Sequence, residues 1–109
     1  MKDIVLSKGN HYRKSDFGIR FPRSLVSSAV VKGETYFFIT IGGNYHNKLH
    51  NGGIVHEPRN QREVVKQKTT VTQTIHTFVR NSGERDFEYI GDLDTVDHYD
   101  SQRNFLTVK

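Results

Sequence analysis

The feature that most constrains this chain is a pair of short apolar segments separated by a polar, glycine-containing connection. Ile75-His-Thr-Phe-Val-Arg80 and Phe87-Glu-Tyr-Ile-Gly91 flank Asn81-Ser-Gly-Glu-Arg85. Segments rich in β-branched and aromatic residues around such a connection predict a β-hairpin. The period of two puts Ile75, Thr77 and Val79 on one face of the first strand and His76, Phe78 and Arg80 on the other. On the second strand Phe87, Tyr89 and Gly91 alternate with Glu88 and Ile90. A face that carries His, Phe and Arg together suits a binding surface as well as a core.

The strongest strand is Thr35–Ile41, where Tyr36, Phe37, Phe38, Ile39 and Ile41 form a nearly unbroken apolar run. Such a run implies burial on both faces. Lys2–Leu6 is a candidate first strand, Asn10–Ser15 a loop carrying Tyr12 and Arg13, and Asn104–Lys109 a last strand closing the sheet. Phe21-Pro22-Arg23-Ser24 can open a helix capped by Ser24, with Leu25–Val31 as two turns before Gly33. The valines of that segment suit a strand equally well. Four Gly and three Asn within residues 42–53 predict a loop that leaves the buried strand and returns at Ile54-Val55. Pro58 ends that return, Arg59–Glu63 is polar and basic, and Thr69–Thr72 favours a strand leading into the hairpin. Asp92–Asp97 reads as a strand or turn with solvated carboxylates. The fold class is therefore mainly β: a small bent antiparallel sheet or β-barrel of five to seven strands, with at most one or two short helices.

A chain of 109 residues predicts one domain, residues 1–109, with a single modest core. The absence of Cys excludes disulfides and Cys-ligated zinc and fits an intracellular setting. No apolar run approaches the roughly 18 residues that span a bilayer. Met1–Gly9 contains no long apolar stretch of the secretory kind, so a cytoplasmic location is expected, with no membrane partner. The net charge of +4 is unevenly distributed. Residues 1–68 hold twelve Lys/Arg against five Asp/Glu, and residues 69–109 hold four against seven. That asymmetry points to a basic face and a phosphate-bearing partner. Mixed charge that merely keeps a domain soluble is the bland alternative.

The order of these segments resembles the SRA-like (YDG-type) domains of the PUA-like β-barrel class, in particular those attached to bacterial helicases and McrA-type HNH restriction nucleases. The residues that carry the resemblance are Gly42, Gly43, Tyr45, Asn47 and Gly53 in the loop. In the hairpin they are His76, Phe78, Val79, Arg80, Phe87, Tyr89, Ile90 and Gly91; the similarity spans roughly 35–99. It implies recognition of DNA, often by flipping a modified base into an aromatic pocket. Such a task needs stacking partners, polar groups for the base edge and basic contacts to the backbone. Tyr45 would stack and Asn47 would hydrogen-bond, while Arg59 and Arg62 would meet phosphate. Lys48, His76, Arg80, Tyr12 and Arg13 complete the expected nucleic-acid-binding set. Family loops place acidic residues after the Tyr, where this chain has His46-Asn47-Lys48, which implies a different base selectivity.

Catalysis is the minority expectation, and neither cofactor nor metal is expected. His46, His50 and His56 lack the helical spacing of a metal site, although loop histidines can converge with Glu57. Glu63-Val-Val-Lys66 lacks the spacing of a nuclease centre. Neither a nucleophile elbow nor a phosphate-cradling Gly-x-x-x-x-Gly-Lys loop is present. For Arg80 the purely structural alternative is pairing with Glu84 or Asp86 across the turn. The expected function is non-catalytic binding of nucleic acid, most naturally duplex DNA. A small phage-type inhibitor or interaction module that blocks a host defence protein is the second reading. A small metal-dependent nuclease or hydrolase is the third.

Overall fold

A computed structural model of the protein describes residues 4–19, 28–43, 47–57 and 74–109. Eight strands run through them: β1 (His11–Tyr12), β2 (Ser28–Val31), β3 (Glu34–Ile41), β4 (Lys48–His50), β5 (Gly53–His56), β6 (Ile75–Asn81), β7 (Phe87–His98) and β8 (Asn104–Val108). The only helical element among the described residues is a 3-10 turn, Lys14–Phe17. The sheet is open, in the order β2-β3-β6-β7-β8-β5-β4, with β1 beside the start of β7. The mainly β fold class is thus observed, with more strands than the five to seven expected.

All strand pairs are antiparallel except β3 and β6, which run parallel with Tyr36 opposite His76 and Phe38 opposite Phe78. These two strands are not consecutive. The chain between them is long enough for the crossover that a parallel pair requires, and it includes the β4–β5 hairpin.

β3 is buried on both faces, as its composition demands. Phe37 and Ile39 join Ile54, Ile75, Leu93 and Leu106 in one core. Tyr36 and Phe38 join Tyr12, Phe17, Phe78, Phe87 and Tyr89 in a second, almost wholly aromatic core. Phe78 is fully buried at its centre, with the rings of Tyr12, Phe17, Tyr36, Phe38 and Tyr89 all within 6.0 Å. Several of these pairs are tilted or edge-to-face, the arrangements that ring quadrupoles favour.

The faces of β6 follow the expected alternation, but those of β7 do not. Thr77 lies opposite Gly91 and Phe78 opposite Tyr89, so Ile90 is an extra residue, a β-bulge. The bulge reverses parity: Phe87 and Tyr89 enter the aromatic core, whereas Leu93 enters the aliphatic one. Gly91 sits at this reversal with φ +122°, and a Cβ there would lie 2.2 Å from the Lys109 carbonyl oxygen. No other residue fits that position.

Several expected elements change. Ser28–Val31 is strand β2, paired with β3 over its whole length, because its valines suit a pleated surface better than a helix. The proposed helix start, 21–27, lies outside the described residues. Residues 4–6 form no strand, while His11–Tyr12, expected to be loop, form β1. The glycine-rich stretch contains edge strand β4, joined to β5 by Asn51 (φ 45°) and Gly52 (φ 78°). Positive φ at both positions marks the Asn-Gly turn that matches strand twist. Asp92–Asp97 belongs to β7, and the expected last strand is β8, which lies between β7 and β5. The expected strand around 69–72 lies outside the described residues.

Candidate nucleic-acid interface

Arg80 follows Phe78 by two residues on β6 and therefore projects from the aromatic face. Its Nε donates to Thr40 Oγ1 at 3.1 Å, and its Nη1 donates to the Glu84 carbonyl at 3.3 Å. The guanidinium carbon then lies 4.4 Å from the centre of the Phe87 ring. Pairing with the carboxylates of Glu84 or Asp86 is not what holds it: Glu84 contributes a backbone oxygen, and Asp86 accepts instead from Arg13 Nε at 2.8 Å.

The 3-10 turn brings a second cation to the same ring. Phe17 anchors the turn in the aromatic core, and the Arg13 amide donates to the Asp16 carboxylate at 2.8 Å. Lys14 is thereby held with its ammonium 5.4 Å from the Phe38 ring and 5.7 Å from the Phe87 ring. Each such contact offers about 0.5–1 kcal/mol of cation–π attraction at a partly exposed site. Against this stands the proximity of two positive charges. The Lys14 pKa is pushed down, first by burial and second by the Arg80 charge. Arg13, Lys14 and Arg80 thus form a cationic patch on an aromatic wall, in which the Arg13–Asp86 pair is exposed and of small energetic weight.

His76 occupies the same face but has a different role. Its Nδ1 meets the Tyr89 hydroxyl at 3.1 Å, its Nε2 meets the Glu34 carboxylate, and its ring stands edge-on to Tyr36. Both nitrogens are used to tie β6 to β3 and β7. Burial, and then the Glu34 charge, raises the pKa of the Tyr36 hydroxyl; burial and then Asp92 raise that of Tyr89. Both phenols therefore stay protonated at neutral pH.

The structure separates the remaining expected site residues. Tyr12 is a core residue, whose hydroxyl accepts from the Ser7 amide and donates to the Val5 carbonyl. Asn47 is buried: its Nδ2 donates to the Thr40 carbonyl and its Oδ1 accepts from the Glu57 amide, each at 2.9 Å. These bonds close the loop end instead of presenting an amide to a base edge. Lys48 lies on edge strand β4, separated from β6 by three strands in the sheet order. Its ammonium is 5.5 Å from the Tyr99 ring, which Arg103 and His50 also contact. Tyr45, Arg59 and Arg62 lie outside the described residues.

Among the described residues no three His, Asp or Glu side chains come together as a metal site. His50 leans on Tyr99 and Phe105, whereas His56 is enclosed in the core against Phe37. No helix among these residues is long and apolar enough to cross a membrane. The residue that sequence reasoning missed is Lys14. Its adjacency to Arg13 in a basic doublet was the available signal, but its value comes from lying over a ring supplied by β7. Comparison with family models, with curated proteins and with solved structures finds no match for this chain.

Proposed function

We propose that this protein binds nucleic acid without acting on it chemically, and that the patch of Arg13, Lys14 and Arg80 contacts phosphate. The observation that carries this reading is that Lys14 and Arg80 both stack on the ring of buried Phe87, 5.7 Å and 4.4 Å from its centre. Like charges gathered against a low-dielectric wall oppose each other, and an anion placed between them turns that repulsion into attraction. The SRA-like resemblance and the basic excess of residues 1–68 support the same reading, with duplex DNA as the natural ligand. Reading of an extruded base by Tyr45 is the finer form of the proposal. It rests on the sequence resemblance.

The test is fluorescence anisotropy with duplex DNA at rising salt. Displacement of counterions by phosphate contacts makes log affinity fall linearly with log salt, with a slope of about −0.9 per phosphate. Salt-insensitive binding, or no binding at low salt, would remove the phosphate contact from the function. A second reading has one observation in its favour. Leu49 is 63% exposed on edge strand β4, beside an apolar cleft of about 480 Å³ lined by Ile54, Ile90, Leu106 and Val108. That surface suits a protein partner, as the inhibitor reading requires, and failure to bind DNA would favour it.

A further inference from the structure

β4 (Lys48–His50) ends the sheet, and among the described residues no strand pairs with its outer side. The two-residue turn at Asn51-Gly52 makes His50 and Gly53 a hydrogen-bonded pair, and antiparallel alternation makes Lys48 and Val55 the next. Leu49 falls between them, in the non-bonded register. Its N–H and C=O therefore point away from β5, toward the open edge.

The two faces of this edge differ. Leu49 lies opposite Ile54, and Ile54 opposite Leu106, so all three share the face that holds the apolar cleft, whose other walls include Ile90 and Val108. Lys48 and His50 turn to the other face, where the Lys48 ammonium lies 5.5 Å from the Tyr99 ring and the His50 ring stands edge-on to it. The adjacent carboxylate, Asp100, is taken by Arg103 at 2.7 and 2.9 Å. All three residues of β4 are exposed.

We propose that β4 is a docking edge for an extended peptide segment of a protein partner, one in which an apolar residue is followed by an acidic one. The segment adds as a further antiparallel strand, the more stable of the two pairings. Its apolar residue exchanges both backbone hydrogen bonds with Leu49 and lays its side chain over the cleft. Alternation sends the next residue to the opposite face, directly across from Lys48, where a carboxylate is favoured and an ammonium is repelled. The same lysine disfavours a second copy of this chain. Two β4 strands paired about Leu49 would set Lys48 against His50 and bring no carboxylate to the junction. A lysine on an edge strand is a recognised defence against such self-pairing. The inference goes beyond the phosphate patch, which lies on other strands, and gives the protein-partner reading its chemistry.

The probe is a fluorescein-labelled threonine peptide with Leu-Glu at its centre, titrated with the full chain and read by anisotropy. It should bind saturably, and the Leu-Lys peptide should bind about fivefold more weakly, the step that exchanging a favourable cross-strand charge pair for a like-charge pair supports. Methylation of the central Leu amide nitrogen removes one edge hydrogen bond and should weaken binding about tenfold. Lys48→Glu should reverse the preference, so that the Leu-Lys peptide binds tighter. That side chain is exposed, and circular dichroism checks that the variant folds. No saturable binding up to roughly millimolar protein, indifference to the methyl group, or an unchanged preference in Lys48→Glu would each overturn the proposal. A concentration-dependent dimer in sedimentation that Leu49→Asp abolishes would give the edge to a second copy and overturn it as well. Duplex DNA titrated in parallel keeps the two claims apart. Duplex binding without peptide binding removes the edge alone, and peptide binding without duplex binding removes the phosphate reading alone.

Discussion

Gly91 offers the sharpest structural prediction, because two distinct costs meet at one residue. It lies at the bulge where β7 sends Tyr89 into the aromatic core and Leu93 into the aliphatic one. Its φ of +122° already penalises any L side chain, by about 1–3 kcal/mol. A Cβ would also sit 2.2 Å from the Lys109 oxygen, so the end of β8 must move by roughly 1 Å. That movement loosens the Lys109 amide bond to the Asp92 carbonyl, now 2.8 Å, a further cost of about 1 kcal/mol. Gly91→Ala should therefore destabilise by about 2–4 kcal/mol. Gly83→Ala is the matched control, since Gly83 has φ +92° in an exposed turn with nothing within 4 Å of a Cβ. Urea denaturation of both variants at equal m-value isolates the contact term as the difference between them. Equal losses in the two variants would show that the close approach of β8 to the bulge is wrong.

Three further outcomes follow from the packing and the charges. Phe78→Ala removes the centre of the aromatic core and should cost about 3–5 kcal/mol in urea denaturation; a loss typical of surface sites would mean the core is misplaced. Asn47→Ala should lower stability by about 1–3 kcal/mol, because two buried backbone groups lose their partner, yet leave DNA affinity of the folded protein unchanged. A selective loss of affinity would return Asn47 to the binding set. The Asp100 carboxyl is held below its ordinary 3.8, first by its hydrogen bond from Arg103. A depressed carboxyl contributes stability that is present above 3.8 and lost as pH falls through the folded value. Asp100→Asn should accordingly flatten the acid limb of the stability profile, and an unchanged acid limb would exclude that contribution.

What was legible in the sequence was local. The apolar run of β3 and the alternation in β6 state their own burial, and the two faces of β6 appear as expected. The Asn51-Gly52 turn between β4 and β5 went unread, although Asn-Gly is a strong short hairpin signal, because the density of Gly and Asn around it reads as loop. The bulge at Ile90 left no mark, since the period of two continues through Phe87, Tyr89 and Gly91 while the backbone breaks it. At Ser28–Val31 the competition between helix and strand was settled by a ladder to β3, a partner that helix propensity does not register. The site divided in the same way. Arg80 shares a face with Phe78 by simple alternation. Lys14 became a candidate only once the 3-10 turn was laid across Phe87. Tyr12 and Asn47, polar and placed in apparent loops, proved to spend their hydrogen bonds on the fold.

The central claim is that Lys14 and Arg80 meet phosphate, and the most direct measurement is the salt slope of duplex-DNA binding for the native protein beside Lys14→Met and Arg80→Met. If each cation meets phosphate, each variant should weaken binding at low salt and reduce the magnitude of the slope by about 0.9. Slopes identical to that of the native protein, with folding intact, would contradict the claim and place the phosphate contacts elsewhere.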